Sequence, residues 1–142
     1  MQDKPRCGWA KGPLMQEYHD AECGVPTRDD RRLYEMLLLE AFQAGLSWHV
    51  ILKKRENFRR AFDGFDAHKI AAYGEAKIEE LLTDAGIVRC RRKITAEVVN
   101  ARCLLEIQRE AGSFADYLYS FTGGRTVPYG GARVTSPLSD AI

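Results

Sequence analysis

Leu81-Leu82-Thr83-Asp84-Ala85-Gly86-Ile87-Val88-Arg89-Cys90-Arg91-Arg92-Lys93-Ile94 is the stretch whose reading decides the fold. Upstream of it Ile78, Leu81 and Leu82 fit one face of a short helix. Downstream Ile94, Val98, Ala101, Leu105 and Gln108 share a stripe on a longer one. Between them Asp84-Ala85-Gly86-Ile87-Val88 reads as a tight turn, so the segment is a helix, a hairpin and a helix. A glycine there lets the backbone turn sharply and expose successive amides, and the basic run Arg89 to Lys93 adds charge. That combination suits a nucleic-acid phosphate held by Ala85, Gly86 and Ile87 with Arg89 and Lys93. An ordinary helical hairpin has the same turn, and the turn alone does not separate the two readings.

Working outward, the chain continues to read as helices joined by short breaks. Pro13 suits the first turn of a short helix running to His19, and Gly24-Val25-Pro26 interrupts it. Thr27 with Asp30 looks like a capping box, followed by Leu33, Met36, Leu37, Glu40, Ala41 and Ala44 on one face, up to Gly45. Ser47 can cap a further helix with Ile51, Phe58 and Phe62 on its stripe, ended by Gly64, and Asp66 can cap a short one through Ile70. After Gly112, Ser113 starts a last short helix through Tyr117 and Leu118, and from about residue 123 the tail is irregular. Ser139-Asp140-Ala141-Ile142 resembles a helix cap and first turn, which gives the expectation of a C-terminally shortened domain. Strand-like alternation is scarce, so the fold class expected is all-α.

With 142 residues, 45% of them hydrophobic, the chain accommodates one core, and residues 1–142 are expected to form a single domain. No apolar stretch approaches the length of a membrane span or a signal segment, which gives the expectation of a cytoplasmic monomer without membrane contact. Cys7, Cys23, Cys90 and Cys103 are widely spaced with no Cys-x-x-Cys pair, so a disulfide scaffold is not indicated. A net charge of +1 excludes a uniformly basic nucleic-acid binder but not a basic face, and Lys53-Lys54-Arg55 with Arg59-Arg60 forms a second cluster of that kind.

Glu40 is the residue that most needs an explanation. A carboxylate on an apolar face either pairs with a neighbour such as an arginine or lines a pocket, because an unpaired buried one costs several kcal/mol. Trp9, Met15, Tyr18, Cys23, Tyr34, Phe42 and Trp48 fall in the first fifty residues. They form either core or an aromatic pocket whose ring faces attract a flat cation. Cys7 and His19 are candidates for half of a tetrahedral zinc site, although a structural site has four ligands and two at this spacing do not establish one. His49 and His68 occupy helical polar positions and are expected to be solvated.

Arg6-Cys7-Gly8-Trp9, Tyr18-His19-Asp20, Glu22, Gly24-Val25-Pro26, Glu40, Gln43-Ala44-Gly45-Leu46-Ser47-Trp48, Leu52-Lys53-Lys54-Arg55-Glu56-Asn57 and Asp84-Ala85-Gly86-Ile87 together resemble the 3-methyladenine DNA glycosylase I family. The resemblance runs from Arg6 onward and is densest through about residue 100. It implies a helix-hairpin-helix DNA glycosylase that flips N3-methylated adenine out of alkylated double-stranded DNA and hydrolyses its glycosidic bond. It implies that Glu40 bonds the base edge and acts as the catalytic carboxylate, that Trp48 stacks on the ring, and that Trp9 and Tyr18 complete the pocket. Two positions depart from the family pattern: Met15 stands where an aromatic residue is usual and Cys23 where a tryptophan is. Cys7 and His19 match two ligands of the family's structural zinc, whose other two lie beyond Ile142, so the half-site is expected to be without its metal unless the shell closes in another way. The alternative function is a binding module that keeps DNA or modified-base recognition without turnover. A third reading is an inactive, self-associating fragment.

Overall fold

The computed structural model describes residues 5–127. Among them lie α1 (Pro13–Ala21), α2 (Asp30–Gln43), α3 (Trp48–Lys53), α4 (Arg55–Ala61), α5 (Ala67–Ala71), α6 (Glu75–Thr83), α7 (Arg91–Ala111) and α8 (Phe114–Ser120). A 3₁₀ turn spans Asp63–Phe65, and no strand occurs among the described residues. The all-α expectation holds. The Ser139–Ile142 segment, and with it the expected cap, lies outside the described residues.

Local chemistry explains most helix starts. Ser47 accepts a hydrogen bond from the Val50 amide (3.3 Å), Asp66 from those of His68 and Lys69, and Ser113 from that of Asp116 (2.9 Å). The start of α2 differs from the capping-box reading. Asp29 is the cap and accepts from the amides of Arg31 (2.9 Å) and Arg32, while Thr27 accepts from the amide of Asp29 one turn earlier. A carboxylate adds favourable interaction with the positive end of the helix, which the threonine cannot supply. The single helix expected after Ser47 is two, broken at Lys54 (φ −94°, ψ 0°), although Ile51, Phe58 and Phe62 are buried as anticipated.

The phase of α2 also differs. Its buried residues are Tyr34, Glu35, Leu38, Leu39 and Phe42, whereas Leu37 is 42% exposed and Glu40 is exposed. Four consecutive apolar residues, Met36 to Leu39, cover a full helical turn, so their pattern alone cannot choose a face. The rings at Tyr34 and Phe42, four residues to either side of Leu38, settle the choice. In α7 the same one-residue ambiguity puts Leu104 in the core where Leu105 was expected.

Phe42, Phe58 and Phe62 form the centre of the core, with ring centroids 4.8 Å apart for Phe42–Phe58 and 5.7 Å for Phe42–Phe62. Ile51, Ile70, Leu81, Ile87 and Ile94 close around them. Truncating a fully buried phenylalanine in such a cluster costs about 3–5 kcal/mol. Asp30 ties the far end together. Its carboxylate accepts from the Phe114 and Ala115 amides (2.8 Å each) and from the Gln108 side chain (2.7 Å), which satisfies the start of α8 and joins α2, α7 and α8.

Candidate functional site

Two places on this frame bring the expected residues together. In the first, Tyr18 on α1 meets Trp48, the opening residue of α3, edge to face: the ring centroids are 5.4 Å apart and the planes 62°. Ser47 fixes Trp48 by capping the helix that begins with it. Trp9 lies 6.3 Å from Tyr18 and 5.3 Å from His19 and is 44% exposed, so one wall of the aromatic group faces solvent. The Trp48 indole nitrogen is buried without a hydrogen-bond partner.

The charge of Glu40 acts on this group. Burial pushes the Tyr18 hydroxyl up to about 12, and the negative charges of Cys23, Glu40 and Glu22 add to the effect against the opposing Arg55. The Cys23 thiol is raised by burial first and by Cys7 and Glu40 after it. Glu40 therefore lies close enough to act on both. Its own carboxyl is raised above the usual carboxylate range by partial desolvation, although the residue as a whole is exposed. Among the described residues it has neither an ion pair nor a hydrogen bond to its carboxylate. The arginine pairing considered for it belongs to Glu35 instead. Of the remaining residues expected at the site, Cys23 is exposed, but Met15 is 8% exposed and faces inward from α1. Met15 is thus packing beneath the site and not surface for a ligand, because a nine-residue helix must bury one face to stay folded.

The second place is the hairpin. Gly86 donates its amide to the Asp84 carboxylate (2.8 Å), and the Ile87 amide points to the Asp84 carbonyl (3.4 Å). Asn57 donates to the Gly86 carbonyl (3.1 Å) and Lys54 to the Ala85 carbonyl (3.3 Å). A Cβ on Gly86 would come within 2.9 Å of Asp84 Oδ1 and 3.1 Å of Asn57, so a larger residue there would displace the two side chains that bond to the Gly86 backbone. Ala85 and Arg89 are exposed, as a phosphate contact needs. Two of the expected contacts are used otherwise. Ile87 is 3% exposed, its side chain locked in the core. The Lys93 ammonium donates to the carbonyls of Phe42 (2.8 Å) and Ala44 (2.6 Å), which draws it inward from a phosphate. Both follow from packing between distant segments, which a local basic run does not reveal.

Sequence reasoning missed the network that holds α1 in place. Arg55 donates to both Glu22 oxygens (2.7 and 3.0 Å) and to Glu35 (2.7 Å), and Arg59 reaches Glu35 at 3.0 Å. The available signal was Glu35 in the apolar run of α2: a carboxylate there, 7% exposed, had to find a cation.

Cys7 and His19 are neighbours: the Cys7 amide donates to His19 Nε2 (3.3 Å), while His19 Nδ1 lies 3.0 Å from Asp20. Among the described residues no group of three or more His, Cys, Asp or Glu is placed to hold a metal ion. Two donors do not close a tetrahedral shell, so these residues by themselves do not fit a structural zinc.

An all-helical fold in which α6, a glycine hairpin and α7 accompany a cluster of aromatic rings and a carboxylate without an ion pair defines a helix-hairpin-helix protein. The methyladenine glycosylase family model matches residues 9–142. The chain is 50% identical over 117 residues to DNA-3-methyladenine glycosylase 1 of Escherichia coli strain K12, covering 82% of this chain and 63% of that protein. It is 38% identical over 123 residues to DNA-3-methyladenine glycosylase of Haemophilus influenzae, covering 86% and 66%. A crystal structure of 3-methyladenine DNA glycosylase I superposes with a TM-score of 0.89 at 45% identity, covering 96% of this chain and 79% of that one. The Staphylococcus aureus enzyme, described for 3-methyladenine recognition, gives 0.79 at 39%, covering 81% and 61%. The chain belongs to the methyladenine glycosylase family, and it spans about two thirds of the length of the curated relatives it matches. No helix among the described residues is long and apolar enough to cross a membrane.

Proposed function

We propose that this chain is a DNA glycosylase that excises 3-methyladenine from alkylated double-stranded DNA by hydrolysing the N-glycosidic bond. The observation that carries the reading is the unpaired, partly desolvated Glu40 set against the Tyr18–Trp48 pair. N3-methylated adenine is flat and cationic. Tyr18, Trp48 and Trp9 offer ring faces to such a cation, and Glu40 offers an acceptor for its N–H edge and an opposite charge. Flipping is cheapest for a damaged base, whose pairing is already weakened. Because the cationic base leaves readily, the side chains need only select it, hold it and stabilise the developing positive charge on the sugar, a task for a partly desolvated carboxylate. Exposed Ala85 and Arg89 at the hairpin take the phosphates, which position the duplex without reading sequence.

In this reading the protein is a cytoplasmic monomer, and Cys7 and His19 bind zinc only where two further ligands complete the shell. Two relatives of solved structure support the substrate assignment, one determined in complex with 3-methyladenine and one described for its recognition. The test is release of free 3-methyladenine from methylated duplex DNA, followed chromatographically. Wild type should release it well above the uncatalysed rate, and Glu40→Gln should slow release on the order of 100-fold, the cost of removing one preorganised electrostatic group. Salt-sensitive DNA binding without release would leave the binding-module reading in its place.

A further inference from the structure

Lys93 is oddly placed for the cation it carries. It is the third residue of α7, at the positive end of that helix, where a cation is disfavoured. Its ammonium instead reaches the C-terminal end of α2 and donates to the carbonyls of Phe42 and Ala44, at the negative pole of that helix where carbonyls lack intrahelical partners. Those two carbonyls belong to the segment that leaves Glu40 and delivers Trp48. The segment is itself stiff: the Leu46 amide donates to the Gln43 carbonyl (2.6 Å), Gly45 takes φ 80°, and Ser47 caps α3. On its other flank the hairpin is tied to α3 and α4 by Lys54 and Asn57.

We propose that Lys93 is a positioning residue whose ammonium fixes the turn between α2 and α3, and with it Glu40 and Trp48, at a set distance from the hairpin. A duplex gripped at the hairpin then presents its extruded nucleotide to a pocket that is already in register. An ångström of slack in such a link costs on the order of 100-fold in rate. The kinetic half of this inference rests on the proposed glycosylase activity, whereas the structural half does not.

The experiment compares wild type with Lys93→Met, which keeps the length and apolar stem but removes the donors, and Lys93→Arg, which restores a cation. Trp9 and Trp48 are the protein's two tryptophans, so their indole N–H resonances can be assigned with a Trp9→Phe variant. Lys93→Met should move or broaden the Trp48 resonance and leave that of Trp9 in place, and Lys93→Arg should return it towards wild type. A Trp48 resonance that does not move overturns the proposal. On methylated duplex DNA, Lys93→Met should lower kcat by about 10- to 100-fold with KM and the salt dependence of DNA binding unchanged. A higher KM, a salt slope reduced by about one ion and an intact kcat would instead make Lys93 a phosphate contact and overturn the proposal. If wild type releases no base, the glycosylase reading fails, and the indole resonances still decide the role of Lys93. Should the methionine variant not fold, Lys93→Gln, which removes the charge and keeps a shorter, neutral NH2 group, carries the same two measurements.

Discussion

Two buried glutamates in this protein meet opposite circumstances. Glu35, on α2, is 7% exposed and receives hydrogen bonds from Arg55 and Arg59, and the same Arg55 grips Glu22 at the end of α1. Glu97, on α7, is 1% exposed; one of its oxygens accepts from Asn100 (3.3 Å) and the other has no partner. The ion-pair side pulls a carboxyl down, since Arg55 holds Glu22 below the usual range. The solitary side pushes one up, since burial raises Glu97 to about 7 against only partial relief from Asn100. A buried carboxylate thus either organises its surroundings or burdens them, depending on whether a cation can reach it. In this protein the organised one joins α2 to α4, and the burdened one lies on α7, where the Glu97 carbonyl accepts from the Tyr34 hydroxyl.

Arg55→Met should give the largest break in that comparison. It strips Glu22 and Glu35 of their shared partner and frees the end of α1, which carries Tyr18. A loss of about 3 kcal/mol is expected in urea unfolding, and under the proposed function release of 3-methyladenine falls as well. A variant as stable as wild type would show that α1 is held by other means.

Glu97 gives the next effect, through pH. Its folded-state pKa lies above its ordinary value of 4.5, so the protein carries no penalty below about pH 4.5 and acquires one as pH rises through about 7. At roughly 1.4 kcal/mol per unit, the full penalty approaches about 3 kcal/mol above neutrality. Glu97→Gln should flatten that decline and raise stability at pH 8. Glu22 has the opposite sign: its lowered pKa adds stability at neutral pH that disappears as pH drops below the usual carboxylate range. Wild-type stability should therefore pass through a maximum on the acidic side of neutrality, measurable by thermal unfolding across pH. A curve rising steadily to pH 8 would contradict the solitary state of Glu97.

Arg59→Ala should have the smallest effect. Glu35 keeps Arg55, and the Arg59 side chain is 43% exposed, so less than about 1 kcal/mol should be lost. A larger loss would mean that Glu35 depends on both cations and that Arg55 alone is not its anchor.

The sequence by itself determined the helical class, the hairpin and most helix starts, because these depend on residues within a few positions of one another: Ser47 and its first turn, Asp66 and its amides, Gly86 between two apolar stripes. It also marked Glu40, Tyr18 and Trp48 as a group, through their resemblance to a known family. What only the tertiary structure decided was the phase of α2, with Leu38 and Leu39 inward and Glu40 outward. The same holds for the pairing of Glu35 with Arg55 twenty residues away, the burial of Met15 and Ile87, and the reach of Lys93 to carbonyls about fifty residues earlier. Four apolar residues in a row fit either face of a helix, and a long cationic side chain can find any acceptor within its length. Such choices are made by the segment packed alongside, which local pattern does not contain.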